Sequence, residues 1–199
     1  LPKNLYYKKI NTKERIIFLF LLFIKKIFCK KKIYMNYKDS VMIDETNEKK
    51  FIKNFFHVTN SFKKIYLVGF FQSEKYFINN KDYIINLFKP TENIKQIILE
   101  RLPNVQDSIS IHIRRGDYLV NPDAHPLCSL DYYNQSMDML DGENVMFICS
   151  SDDKEWCEQN IKRNNIIFNK SDLAHDMCLI SKCNDHIIAN STFSWWGSW

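Results

Sequence analysis

The chain has 199 residues, 45% hydrophobic and 15% aromatic, enough to bury a core and too apolar for a disordered chain. Its net charge of +5 is uneven: residues 1–38 hold eleven Lys/Arg against one acidic residue, and the remainder holds seventeen against twenty-two. Basic density at one terminus, with no recognition motif, excludes a nucleic-acid reader, and four glycines in all leave no Gly-x-Gly-x-x-Gly dinucleotide loop.

The basic end carries nine consecutive apolar residues, Ile16 to Ile24, in "RIIFLFLLFIKK". A membrane span needs about twenty, so the stretch reads as a buried or interfacial helix, with contact to a membrane surface as the alternative. Leu1 at the start and Trp199 inside an aromatic segment suggest a fragment. The cysteines, at 29, 128, 149, 157, 178 and 183, contain no Cys-x-x-Cys and sit in apolar patterns, which indicates reduced core thiols and no metal site. "KKIYLVGFFQSEKYF" supplies one strand, Ile65 to Phe70, with a break at Gly69, and "TENIKQIILERL" is a helix capped by Thr91.

From residue 105 the pattern alternates. "SISIHI" has period two, with Ile109, Ile111 and Ile113 on one side and Ser110, His112 and Arg114 on the other. "DYYNQSMDML" is helical, "NVMFICS" is an apolar strand, and "DDKEWCEQNIKRN" is a helix with Ser151 or Asp152 as its cap. "NIIF" is a short strand, "SDLAHDMCLISKC" a helix capped by Ser171, "DHIIAN" a strand that buries Asn190 at its end, and "STFSWWGSW" a turn into a helix. Strand and helix in alternation specify an α/β domain with a parallel sheet.

Ligands of such sheets bind beyond the carboxyl ends of the strands. Three polar clusters fall there: His112/Arg114/Arg115/Asp117, Ser150/Ser151/Asp152/Asp153 and Asn190/Ser191/Thr192/Ser194. Arg114 and Arg115 can fork onto phosphate oxygens, the hydroxyls of "NSTFS" can cradle an anion, and the aspartates can accept from a ribose hydroxyl or a base N–H. That set fits a nucleoside diphosphate without a Walker loop. The competing readings are a salt-bridged surface turn, a core role for His112, a metal pair at Asp152/Asp153, and an adhesive Arg-Gly-Asp loop with Gly116 and Asp117 exposed at its tip.

The strings "GFFQSEKYF", "SIHIRRGDYL", "CSLDYY", "ICSSDD…W", "DMCLISKC" and "HIIANSTFSWWGSW", in that order, closely resemble glycosyltransferase family 11, the α-1,2-fucosyltransferases, from about Gly69 to Trp199. The resemblance implies an α/β, GT-B type glycosyltransferase: residues 1–104 a partial, mostly helical acceptor-side region, and residues 105–199 a Rossmann-like GDP-fucose-binding domain truncated at its C-terminus. It implies inverting, metal-independent transfer of L-fucose from GDP-β-L-fucose to the 2-hydroxyl of a galactose-terminated glycan, with no cofactor beyond that donor. Arg114 and Arg115 are implied at the pyrophosphate, Asp152 and Asp153 in the second donor motif, Asp176 at guanine, and Ser191 and Thr192 at phosphate. Asp117 and His112 are candidates for the general base. The family's glycine-rich N-terminal segment has no counterpart here. A nucleotide-binding pseudoenzyme is therefore the alternative function. Membrane association is implied for the family, with a cytoplasmic protein as the other reading.

Overall fold

The computed structural model describes residues 34–37, 40–45 and 51–199. The apolar run at 16–24 and Cys29 lie outside them. The chain forms two compact units, Leu1–Ile84 and Ile85–Trp199.

In the first unit, β1 (Tyr34–Tyr37) pairs antiparallel with β2 (Ser40–Asp44), and β2 pairs parallel with β3 (Lys64–Val68). The β2–β3 connection contains helix α1 (Phe55–Ser61), the element a parallel pair requires. Val41 and Ile43 of β2 pack with Ile52, Phe55 and Tyr76 in an aromatic-rich core, where Tyr76 Oη also accepts the Ile52 N–H at 3.0 Å. β3 stops at Val68 because Gly69 adopts φ +135°, a conformation open to glycine. A Cβ at Gly69 would lie 2.9 Å from Glu45 Cβ, and Glu45 Oε2 accepts the N–H groups of Phe70 and Phe71, each at 3.2 Å.

Helix α2 (Lys81–Phe88) carries the division between the units. The second unit contains α3 (Glu92–Arg101), β4 (Ser108–Ile113), α4 (Leu130–Leu140), β5 (Met146–Ser151), α5 (Lys154–Asn160), β6 (Ile166–Phe168), α6 (Leu173–Ile180), β7 (Asp185–Ile187) and α7 (Thr192–Ser198). Its four strands are all parallel, in the order β6-β5-β4-β7. Ile109, Ile111 and Ile113 of β4 pack with Phe147 and Cys149 of β5, Tyr133 and Met137 of α4, and Cys157 of α5. The opposite face puts Ile148 against Ile98 of α3 and Cys178 and Leu179 of α6. β4 is buried on both sides. Its polar side stays satisfied because Ser110 Oγ meets His186 Nδ1 at 2.7 Å and His112 Nδ1 meets Ser194 Oγ at 2.6 Å.

The parallel α/β reading of the second half is thus what the chain forms. The division lies at Ile84/Ile85 rather than at 104/105, because Ile98 of α3 shares a core with Val105, Cys178 and Leu179. The sheet of the first unit includes β1 and β2, for which the sequence showed no strand signal. Two helix caps also differ from expectation. Asp153, not Ser151 or Asp152, accepts the Trp156 N–H at the start of α5, and Asp172, not Ser171, accepts the Ala174 and His175 N–H groups at α6. Cys149, Cys157, Cys178 and Cys183 are buried free thiols, and Cys128 is a partly exposed one. Among the described residues, no helix is long and apolar enough to cross a membrane.

Candidate active site

Chain order fixes where the sheet reverses. From β4 the chain builds outward to β5 and β6, then crosses back through α6 to place β7 on the other side of β4. The carboxyl ends of β4 and β7 therefore flank the reversal point of the sheet, the position at which open α/β sheets bind their ligands. Residues 114–119 follow β4 there, and residues 188–191 follow β7.

Local chemistry shapes the first of these loops. After β4 the chain tightens into a 3-10 turn, Gly116–Leu119, with Leu119 N–H donating to Arg115 O at 2.9 Å. Asp152, in the turn after the parallel neighbour β5, reaches across to it. Its Oδ1 accepts the Arg115 N–H at 2.9 Å, its Oδ2 pairs with Arg114 Nη1 at 2.9 Å, and a Cβ on Gly116 would lie 2.4 Å from that Oδ2. Glycine at 116 is what admits the carboxylate. Arg114 Nη2 also donates to Asp117 Oδ1 at 2.7 Å, and its guanidinium lies 5.7 Å from the Tyr118 ring centroid.

Arg115 is held separately. Its Nε donates to Asp153 Oδ2 at 2.9 Å, and its guanidinium lies 3.8 Å from the centroid of the Trp156 ring, a close cation–π contact. Two guanidiniums thus face three carboxylates, Asp117, Asp152 and Asp153, for a formal local charge of −1.

The loops that follow β4 and β7 are tied together. Tyr118, buried and stacked on His125 at 4.8 Å, donates its hydroxyl to Asn190 O at 3.1 Å. Asn190 is exposed, not buried, because β7 ends at Ile187 and leaves it in the loop. Its amide nitrogen donates to Pro126 O at 2.8 Å, so the side chain fastens the 121–128 loop. Ser191 Oγ caps α7 by accepting the Phe193 N–H at 3.3 Å, and Thr192 is exposed. Among the described residues, no hydrogen bond joins Arg114 or Arg115 to the hydroxyls of Ser191 or Thr192.

Ser150, Ser151, Ser194, His112 and Asp176 are deeply buried. Ser194 has no exposed surface and His112 is 5% exposed. Burial pushes the His112 imidazole down to about 4, with Arg114 adding to that and Asp152 opposing it, so the ring is neutral near pH 7. Asp176, 4% exposed, accepts from the Asn169 amide, and burial raises its carboxyl above the usual range against the pull of Asn169 and Lys154.

Gly116 and Asp117 are exposed, as an adhesive loop would require, yet Asp117 is drawn onto Arg114 and Gly116 is seated on Asp152 within a closed turn. Sequence reasoning missed the carboxylate-on-glycine seat, the Tyr118 tether and the Trp156 stack. The third had a signal in the Trp three residues after "DD". Among the described residues, no three His, Cys, Asp or Glu side chains converge as a metal cluster.

Residues 7–199 match the model of glycosyl transferase family 11. An alpha-1,2-colitosyltransferase of Escherichia coli is 40% identical over 66% of this chain and 50% of its own length. The O-antigen biosynthesis glycosyltransferase WbnK of Escherichia coli is 35% identical over 67% of the chain and 49% of its own. The galactoside 2-alpha-L-fucosyltransferase SEC1 of Bos taurus is 29% identical over 46% of the chain and 28% of its own. The chain spans about half the length of the first two of these relatives. No solved structure matches it. The chain belongs to glycosyl transferase family 11.

Proposed function

We propose that the protein transfers L-fucose from GDP-β-L-fucose to the 2-hydroxyl of a terminal galactoside, with inversion, as a GT-B type enzyme whose second unit binds the donor. The observation that carries this reading is a pair of preset arginines, Arg114 and Arg115, at the carboxyl end of β4, where the sheet reverses. In the reaction the acceptor oxygen forms a bond to the anomeric carbon as the bond from that carbon to the β-phosphate oxygen breaks. Negative charge builds on the departing diphosphate, and Arg114 is the group aimed to receive it. Arginine supplies this charge without a metal ion.

Asp117 is the better candidate for the proton of the acceptor hydroxyl, since its carboxylate is exposed beside Arg114. His112 faces Ser194 in the interior and fixes the end of β4 against α7, which makes it a positioning residue. Asp176 has its carboxylate bonded to Asn169, so contact with guanine would need that bond to be shared or exchanged.

The name of the 40% identical relative favours a second reading, in which the sugar moved is colitose. The protein is incubated with a galactoside and either GDP-fucose or a colitosyl donor, and the products are weighed by mass spectrometry. A fucosylated product is expected. A colitosylated product alone selects the second reading, and GDP binding with no transfer from either donor leaves a nucleotide-binding pseudoenzyme.

A further inference from the structure

The local charge of −1 around the arginines poses a problem for any diphosphate site. An anion cannot settle against Arg114 while both of its aspartates remain. The two are built differently. Asp152 is anchored three ways: its side chain is 20% exposed, its Oδ1 holds the Arg115 N–H, and its Oδ2 fills the space left by the missing Cβ of Gly116. Asp117 has a side chain 60% exposed, and among the described residues its one side-chain hydrogen bond is the one from Arg114.

From this asymmetry, and resting on the diphosphate reading above, we infer that the two carboxylates act with opposite signs: Asp152 is a positioning residue that aims Arg114, and Asp117 is a displaceable counter-ion that occupies the anion's place until a diphosphate arrives. Asp152 stays bonded to Nη1 and holds the guanidinium at the carboxyl end of β4. Asp117 yields Nη2 to a phosphate oxygen. No covalent bond changes in this exchange. It leaves Asp117 free of Arg114, as the proposed proton acceptor must be.

The test is calorimetric titration of sodium pyrophosphate, at fixed ionic strength, into the protein and its D117N, D152N and Gly116→Ala variants, with guanosine titrated in parallel. Removing a negative charge beside an anion site tightens binding if charge alone matters. D117N is expected to do so, by about two- to fivefold, the worth of an exposed pair. D152N is expected to do the reverse, weakening pyrophosphate about tenfold or more through loss of a charge-assisted bond that orients Arg114. Gly116→Ala keeps every charge but pushes Asp152 aside, and is expected to weaken binding in the same direction. Guanosine affinity should be unchanged in all three.

The inference is overturned if D152N binds pyrophosphate as tightly as the parent, or if D117N weakens it. It is also overturned if D152N loses guanosine rather than pyrophosphate, which would make Asp152 a nucleoside contact. If D152N fails to fold, D117N and Gly116→Ala still decide the signs. A parent protein that binds no pyrophosphate sinks both this inference and the donor site. One that binds it, shows these signs and transfers no sugar sinks only the proposed transferase.

Discussion

Glu45 and Asp152 perform the same mechanical task in different units. Each follows a strand, β2 or β5, and accepts backbone N–H groups from the loop beyond the parallel neighbour, β3 or β4. Each also rests against a glycine whose Cβ would collide with it, at 2.9 Å for Gly69 and 2.4 Å for Gly116. They differ in what the pinned loop carries. The Glu45 loop presents Phe70, 81% exposed, and Phe71, whereas the Asp152 loop presents Arg114 and Arg115 with their aspartates. A carboxylate seated on a glycine is a way to hold a strand-end loop. Under the proposed function it serves chemistry where the loop delivers guanidiniums and the sheet reverses beside it.

The largest effect should come from removing the guanidinium that the Glu45 loop lacks. Arg114→Ala is expected to lower the transfer rate by about 100- to 1000-fold, the usual loss of one donor to a developing anion, with an unchanged circular dichroism spectrum. Retention of more than about a tenth of the parent rate would contradict the assigned role, since even a tenfold loss is only about 1.4 kcal/mol.

The comparison sharpens in acid, because the polar face of β4 buries an imidazole. The folded value of about 4 for His112 lies below its ordinary 6.5, so the unfolded chain takes up the proton first as pH falls. The stability held by the neutral ring is complete above about 6.5 and is lost between there and 4, about 3 kcal/mol in all. His186, also lowered by burial, adds in the same direction, and the raised Asp176 opposes it. Urea melts between pH 7 and pH 4.5 should therefore show a shallower pH dependence in His112→Asn than in the parent. Equal slopes would remove His112 as the cause.

A smaller effect is expected at the other seat. Gly69→Ala forces an alanine into φ +135° against Glu45 and should cost about 1–3 kcal/mol of stability. Pyrophosphate affinity should be unaffected, unlike in Gly116→Ala. Equal losses of anion affinity in the two variants would erase the distinction between them.

How much of this the residues disclosed depends on the range of the interaction. β4 was legible in full, since a period-two run bounded by polar residues is a local signal, and Ser108–Ile113 is the strand observed. The capped helix after Thr91 was legible too, with Thr91 Oγ1 accepting the Ile94 N–H. The strands "YMNY" and "SVMID" were not, because four or five mixed residues carry too little pattern, and the pairing of β2 with β3 joins segments more than twenty residues apart. The helix after Asp153 was read too long: Ile161 turns extended at φ −98° and ψ 113° to bury its side chain in the core. The arginines were visible as a motif. Asp152 and Asp153 were visible only as "SDD", because the seat on Gly116 couples residues 36 positions apart and no local rule announces it.

A crystal structure of the protein with GDP tests the central claim most directly. The account predicts the diphosphate at the carboxyl ends of β4 and β7, with phosphate oxygens about 2.7–2.9 Å from the Arg114 guanidinium, Asp152 still on Nη1 and Asp117 released. GDP bound elsewhere, or a diphosphate in the crevice with Arg114 still closed between Asp117 and Asp152, would contradict it.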